Sequence, residues 1–270
     1  MDGLSKRQSL LRLKAQIAQL ENRAVLVGDQ DLGASPLDQA GPCAPPGSLS
    51  EIFAGELRDG GASLGFALGQ ARALMTAERR AVFFMQLTHQ AQELGLPYGA
   101  GLKSFGFDPE ALILIRTASV TELLWAVEEA VACRAVAAVI AEIDGRPKAL
   151  DFTASRRLSL RAASGGAAVL LLRYGAEREA SAAQLRWGIA AAPSGERPFD
   201  ARAPGQTRWQ VRLEKGHLAG LGDKGWLLGW TDHGFAWVGD RAGDGGAGRV
   251  AAPLSGAAPA AVGHRLAETA

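Results

Sequence analysis

The sequence predicts a three-layer α/β fold in which a mainly parallel sheet is covered by helices on both faces. Strand-length apolar runs without polar alternation recur between residues 49 and 172, as they do when both faces of a strand are buried. They alternate with segments whose apolar residues recur at helical spacing, the pattern of a parallel sheet built through helical crossovers. After Gly175 the pattern changes to strict apolar and polar alternation, so the later strands have one wet face.

Taken in order, Leu4 to Arg23 contains neither Gly nor Pro. Its Leu10, Leu13, Ile17 and Leu20 recur at helical spacing opposite Arg12, Lys14 and Gln19, which predicts an amphipathic helix within residues 1–27. Residues 28–47 are rich in Gly, Pro, Asp and Ala, with Pro36, Pro42, Pro45 and Pro46, and read as a flexible linker that makes the helix an arm. The body, residues 48–239, opens with a short strand, Leu49 to Ala54. A Gly-rich turn follows, then a helix from Ser63 to Thr76 with Leu64, Ala67, Leu68, Ala71 and Leu74 on one stripe.

Ala81 to Met85 is a buried strand, Leu87 to Leu94 a helix, and Ala111 to Ile115 a second buried run. Thr121 to Arg134 is helical, with Thr121 as cap or first-turn residue, and Val136 to Ile143 is a third buried run. Asp151 to Ala163 is a helix ended by Gly165 and Gly166, and Ala167 to Leu172 is a fourth run. Leu185 to Ile189 and Arg208 to Leu213 alternate and are expected to add an antiparallel edge. Trp226 to Trp230 and Phe235 to Val238 read as a hairpin around Asp232, His233 and Gly234. Residues 240–270 are mostly Gly, Ala, Pro and Asp, a composition that predicts disorder.

Composition narrows the function. Of 270 residues, 29 are Lys or Arg and 28 Asp or Glu, a formal charge of +1. Affinity for DNA or an acidic membrane comes from neutralising many phosphates, so a stand-alone nucleic-acid binder is disfavoured and any DNA contact is expected to be indirect or weak. Cys43 and Cys133 lie in different contexts and form neither a disulfide framework nor a CxxC metal site. No continuous apolar stretch suits a signal peptide or a membrane span, so the expected location is the cytoplasm.

The stretch from Gly55 to Ser63 follows a strand, leads into a helix and has the G-x-x-x-x-G spacing of a phosphate-binding P-loop, through Gly55 and Gly60. The next two positions require a Lys for the β- and γ-phosphates and a hydroxyl for Mg²⁺. Here they are Gly61 and Ala62. The loop therefore reads as degenerate, with Ser63 or Arg58 as the available substitutes, and ATP turnover is not expected. Glu142 and Asp144 end an apolar strand where a P-loop protein carries its second acidic residue. Without a Mg²⁺ ligand in the loop, a structural hydrogen-bond role is the expectation. His89 and Glu93 are four apart on a helix and read as a surface pair. No His or Cys group has metal-ligand spacing, and no catalytic residue, metal or cofactor is assigned.

Several segments carry a resemblance to a known family. Gly47 to Phe53 is similar to the strand that enters the P-loop of RecA. The stretches Gln92 to Gly95 and Phe107 to Leu112, the helix Thr121 to Ala130, and the strand Arg208 to Gly216 are similar to ImuA sequences. The chain thus resembles the ImuA family of the RecA-like superfamily, accessory proteins of the SOS mutagenesis cassette, over about Gly47 to Trp230. The resemblance implies a RecA-like three-layer αβα core with a degenerate P-loop and antiparallel edge strands. It also implies a role in damage-induced translesion synthesis, with three partners: ImuB, a Y-family polymerase homologue; an error-prone DNA polymerase III α-type subunit; and RecA. A SulA-like inhibitor of the division GTPase, or a RecA-like ATPase with an unorthodox site, are the alternatives.

Under that reading, Leu10, Leu13, Ile17 and Leu20 dock onto a partner or fold back onto the chain's own core. Trp226 and Trp230 are candidate partner anchors. Arg156, Arg157 and Arg161 on one helix, with Arg208 and Arg212 on one strand, are candidate DNA contacts.

Overall fold

A computed structural model describes residues 42–175, 177–197, 200–218 and 225–238. Leu10, Leu13, Ile17 and Leu20, the first part of the predicted linker and the tail at 240–270 lie outside the described residues.

Eleven strands and five α-helices follow in chain order among the described residues. They are β1 (Leu49–Ala54), α1 (Gly60–Ala73), β2 (Ala81–Leu87), α2 (Thr88–Leu94), α3 (Gly99–Ser104), β3 (Leu112–Thr117), α4 (Val120–Val131), β4 (Val136–Asp144), α5 (Phe152–Gly165) and β5 (Ala168–Tyr174). The strands β6 (Leu185–Ala192), β7 (Glu196–Arg197), β8 (Asp200–Pro204), β9 (Arg208–Lys215), β10 (Trp226–Thr231) and β11 (Gly234–Trp237) complete the series. Nine strands form one sheet in the order β11-β10-β9-β6-β1-β5-β4-β2-β3, while β7 and β8 make a small separate hairpin that the sequence reading does not anticipate.

The sheet is parallel from β3 to β6 and antiparallel from β6 through β9 and β10 to β11, the expected mixture and one compatible with a RecA-like core. Helix α1 covers one face: Phe66, Ala67 and Ala71 pack with Ile52, Trp187, Ile189, Trp209 and Phe235. Helices α4 and α5 cover the other, through Leu123, Val127, Leu158 and Ala162 against Leu49, Met85, Val139 and Leu171. Strands β1, β4 and β5 are buried almost throughout, as unbroken apolar runs require.

Local signals explain the helix ends. The hydroxyl of Ser119 accepts from the Glu122 amide at 3.3 Å, and the Glu122 carboxylate accepts from the Ala118 amide at 3.0 Å, which places Thr121 inside the first turn of α4. Asp151 caps α5 through the Ala154 amide at 2.7 Å. At its far end Gly166 takes the left-handed conformation, φ 78°, that stops the helix.

Four expectations change. Ala111 to Ile115, expected to be buried, belongs to edge strand β3. Ile113 and Leu114 are 42% and 46% exposed, because a strand with a vacant edge is uncovered whatever its hydropathy. Leu185 to Ile189 is interior rather than an antiparallel edge: β6 runs parallel to β1 and antiparallel to β9. Its alternation arises because Trp187 and Ile189 pack on the α1 face, while Arg186 on the other face joins an ion pair with Glu51. Helix α1 starts at Gly60, three residues before the expected Ser63. Residues 42–47 are held against the body: the side-chain amide of Gln70 donates to the Pro42 carbonyl at 2.7 Å and accepts from the Ala44 amide at 2.6 Å.

Aromatic packing against α1 needs a bare backbone. A Cβ at Gly69 would lie 2.4 Å from the Phe235 ring and 2.8 Å from Trp230, whereas one at Gly61 meets nothing within 4 Å. Gly69→Ala should therefore lower unfolding stability by about 1–3 kcal/mol through overpacking, while Gly61→Ala stays within about 0.5 kcal/mol of the parent. Urea denaturation followed by tryptophan fluorescence checks both values.

Candidate functional site

Ligands of open parallel sheets bind beyond the carboxyl ends of the strands. Here that region contains the loop after β1, together with Gln86, Glu142 and Tyr174 from β2, β4 and β5.

The loop with P-loop spacing is short. Leu57–Asp59 form one 3-10 turn, and Gly60 already begins α1. Asp59 is buried, and its carboxylate bridges two backbone amides: Oδ2 accepts from Glu56 and Oδ1 from Ala191 of β6, each at 3.0 Å. The Gly55 amide donates to the Ile189 carbonyl at 3.0 Å, and the Asp59 amide to the Glu56 carbonyl at 2.9 Å. A phosphate requires free amides and no competing negative charge. In this loop the amides of Gly55, Glu56 and Asp59 are already paired, and an internal carboxylate holds the turn. Gly61 and Ala62 supply no cation-handling side chain. Of the possible substitutes, Arg58 is exposed and paired with Glu56 at 3.1 Å, and the Ser63 hydroxyl is buried without a hydrogen-bond partner among the described residues.

Glu142 is equally enclosed. Its carboxylate accepts from the Tyr174 hydroxyl at 2.8 Å and from the Gln86 side-chain amide. Gln86 also donates to the Gly95 carbonyl at 3.0 Å, and Gly60 lies against the Tyr174 ring, where a Cβ would come within 3.4 Å. Burial raises the Glu142 pKa above its ordinary value, with the two hydrogen bonds opposing the shift. Burial, reinforced by the Glu142 carboxylate, raises that of Tyr174. Asp144 is exposed and accepts from its neighbour's amide, Gly145, at 2.8 Å, which is a turn role.

The opposite face of the same strand ends holds an ionic network. Arg186 donates twice to Glu51 Oε2, at 3.0 and 2.7 Å, and Ser181 donates to the same oxygen at 2.8 Å. Arg173, 2% exposed, stands 3.7 Å from Glu51 and 3.5 Å from Glu179, and donates to the Gly145 carbonyl at 3.1 Å. Burial lowers its pKa, and Glu51 pulls it back. Arg178 forms a bidentate pair with Glu214, both contacts 2.8 Å, which holds the Glu214 carboxyl below its ordinary pKa. The guanidinium of Arg178 lies 4.3 Å from the Phe53 ring centre.

The candidate DNA-contact residues share one side of the sheet without forming a cluster. Arg156, Arg157 and Arg161 are exposed on α5, and Arg157 is paired with Glu128. On β9, Trp209 and Val211 face α1, so Arg208 and Arg212 face the other side. Arg212 is exposed there, close to Glu214, while Arg208 is half-buried. Of the two tryptophan anchors, Trp226 is half-buried against Trp237. Trp230 is a correction. It is buried among Phe105, Trp209 and Phe235, because β10 turns that side toward α1, and it is not available as a surface anchor. His89 and Glu93 are both exposed on α2. The described residues contain no group of three or more His, Cys, Asp and Glu that could hold a metal ion, and no helix long and apolar enough to cross a membrane.

No family model matches the chain. Protein ImuA of Caulobacter vibrioides, in strain NA1000 / CB15N and again in strain ATCC 19089 / CIP 103742 / CB 15, is 34% identical over 196 residues, covering 68% of this chain and 75% of the relative. The chain belongs to the ImuA family.

In this ImuA-family chain the residues that define the site are not the ones sequence spacing singles out. Asp59, Gln86 and Tyr174 are the side chains that close the loop and enclose Glu142. A carboxylate in the residue before Gly60 was the one available signal. Gln86 and Tyr174 carry none, because only the sheet order β5-β4-β2 brings them beside Glu142.

Two measurements follow. A raised folded pKa means that the native state holds the Glu142 proton more tightly than the unfolded chain. Stability from this group is then present at low pH and is lost as pH rises from the ordinary value of 4.5 through the folded value. Glu142→Gln should flatten that decline, and urea midpoints compared from pH 4 to 8 with the parent's would show it. Glu51→Gln leaves the buried Arg173 and Arg186 with reduced compensation and should cost about 3 kcal/mol of unfolding free energy in the same assay.

Proposed function

We propose that the protein is a non-catalytic adaptor of damage-induced translesion DNA synthesis, the SOS mutagenesis response. On this reading it works in the cytoplasm, at the nucleoid during damage, through ImuB, the error-prone polymerase III α-type subunit and RecA. Membership of the ImuA family supports the cellular role. The observation that carries the non-catalytic part is the Asp59 carboxylate, which takes up the Glu56 amide of a degenerate P-loop, ties the loop to Ala191 of β6 and puts a negative charge inside it.

Phosphoryl transfer is mostly positioning and electrostatic stabilisation by a Lys, a metal and free amides. Gly61, Ala62 and Asp59 supply none of these. Glu142, bonded to Gln86 and Tyr174, is spent on holding β2, β4 and β5 together. What is left for function is surface, and an adaptor works through surfaces. The near-neutral charge and the arginines paired on the α5 side favour protein partners over direct DNA binding.

A pull-down with the purified full chain is expected to retain ImuB and RecA and to leave the division GTPase unbound. Repeating it with residues 1–30 deleted assigns the part played by the arm. Failure to bind either ImuB or RecA would overturn the adaptor reading, and capture of the division GTPase instead would support the SulA-like alternative. No magnesium-dependent ATP turnover is expected with or without DNA. Turnover that disappears on neutralising Glu142 or Asp144 would overturn the non-catalytic part.

A further inference from the structure

An apolar groove of about 220 Å³ runs along the outer side of α1, between that helix, the α3 segment and the start of β9. Gly61, Leu64 and Leu68 form one wall, Tyr98 and Phe105 the other, and Trp209 the floor. The Trp209 indole N–H is already spent on the Ala62 carbonyl at 2.8 Å, so the floor offers no polar atom from that ring. Beside the groove the chain exposes Leu94, Leu96 and Tyr98, the last at 77%, within five consecutive residues. Glycines recur every fourth residue along α1. Gly65 is packed against Phe105 and Trp209, at 3.2 and 3.4 Å from a hypothetical Cβ, and Gly69 against Phe235, while Gly61 has nothing within 4 Å. The ledge one turn beyond the aromatic layer is therefore open, and bare backbone there allows close approach of another helix.

We infer that this groove is the seat of the chain's own N-terminal stripe, Leu10, Leu13, Ile17 and Leu20, bound in cis. The stripe has the spacing of a helix-packing seam, 3-4-3, and spans about 15 Å at 1.5 Å per residue. The facing wall repeats at the matching interval, with Gly61, Leu64 and Leu68 over two turns of α1. The point where the arm joins the body selects the occupant. Pro42 and Ala44 are both bonded to Gln70, two residues beyond Leu68 on the helix that forms the wall. Residues 21–41 then tether the stripe, and a linker of about twenty residues has a typical end-to-end span of about 25 Å, ample for a groove on the same helix. Such a tether sets an effective concentration of order millimolar, which outcompetes a second copy at micromolar protein. This inference does not depend on any partner or on the cellular role.

Lysine-reactive crosslinking of the full chain tests it. Lys14 lies on the polar side of the arm, next in sequence to Leu13, and Lys103 is exposed on α3 beside the groove, whereas Lys148 is exposed in the connection between β4 and α5. Mass spectrometry should find Lys14–Lys103 links in the monomer and few Lys14–Lys148 links. An equal mixture of isotopically heavy and light chains should show them within one chain. Leu13→Asp with Ile17→Asp, and separately Gly61→Trp, should lower the yield about tenfold, since each puts a charge or a bulky ring in the seam. Tyr98→Asp, on an exposed side chain, gives the same loss without threatening the fold, which the thermal melt verifies. Links spread evenly over Lys103 and Lys148, links insensitive to these variants, or links only between heavy and light chains would each overturn the assignment, the last in favour of a second copy.

Discussion

The Asp59 carboxylate bridges the loop after β1 to the backbone of β6, and much of the fold's top edge depends on that bridge. It orders the turn from which α1 starts and ties it to the strand through which the antiparallel extension joins the sheet. With α1 fixed in this way, its glycine face receives Phe105, Trp209, Trp230 and Phe235, and the second half of the chain gains a core. The same carboxylate takes up the Glu56 amide and places a negative charge inside the turn.

The two faces of the sheet solve different problems. On the α1 face, rings in edge and tilted contact fill the space beside bare backbone. On the opposite face, beyond the cover of α5, Glu51, Arg173, Arg178, Arg186 and Glu214 pair around the Phe53 ring. Buried ions are costly unless each finds its complement, and here the charges alternate between neighbouring strands so that register specifies partner. As a result Arg173, Arg178 and Arg186 are all engaged with carboxylates.

Periodicity made the parallel core legible because burial on both faces leaves an unbroken apolar run, as in Val136 to Ile143. It could not separate β3 from its neighbours. Leu112 to Ile115 has the same composition as a central strand, and only the sheet order shows it as the last strand among the described residues. The alternation in Leu185 to Ile189 correctly reported one apolar and one polar face, but a polar face does not reveal whether a strand runs parallel or lies at an edge. At the site, the missing Lys and hydroxyl could be read directly from Gly61 and Ala62. The role of Asp59 could not, since its donors are the amides of Glu56 nearby and Ala191 far along the chain, a pairing that exists only after folding.

Strand β3 has a consequence for colloidal behaviour. Among the described residues its outer edge presents a ladder of peptide groups with no neighbouring strand, flanked by Ile113 on one side of the sheet and Leu114 on the other. Neither a proline nor an inward charge interrupts Leu112 to Ile115, the devices by which edges usually discourage extended segments from adding to them. An edge of this kind is where extended segments add to a sheet, and a single lysine at position 113 or 114 would be the economical way to discourage it.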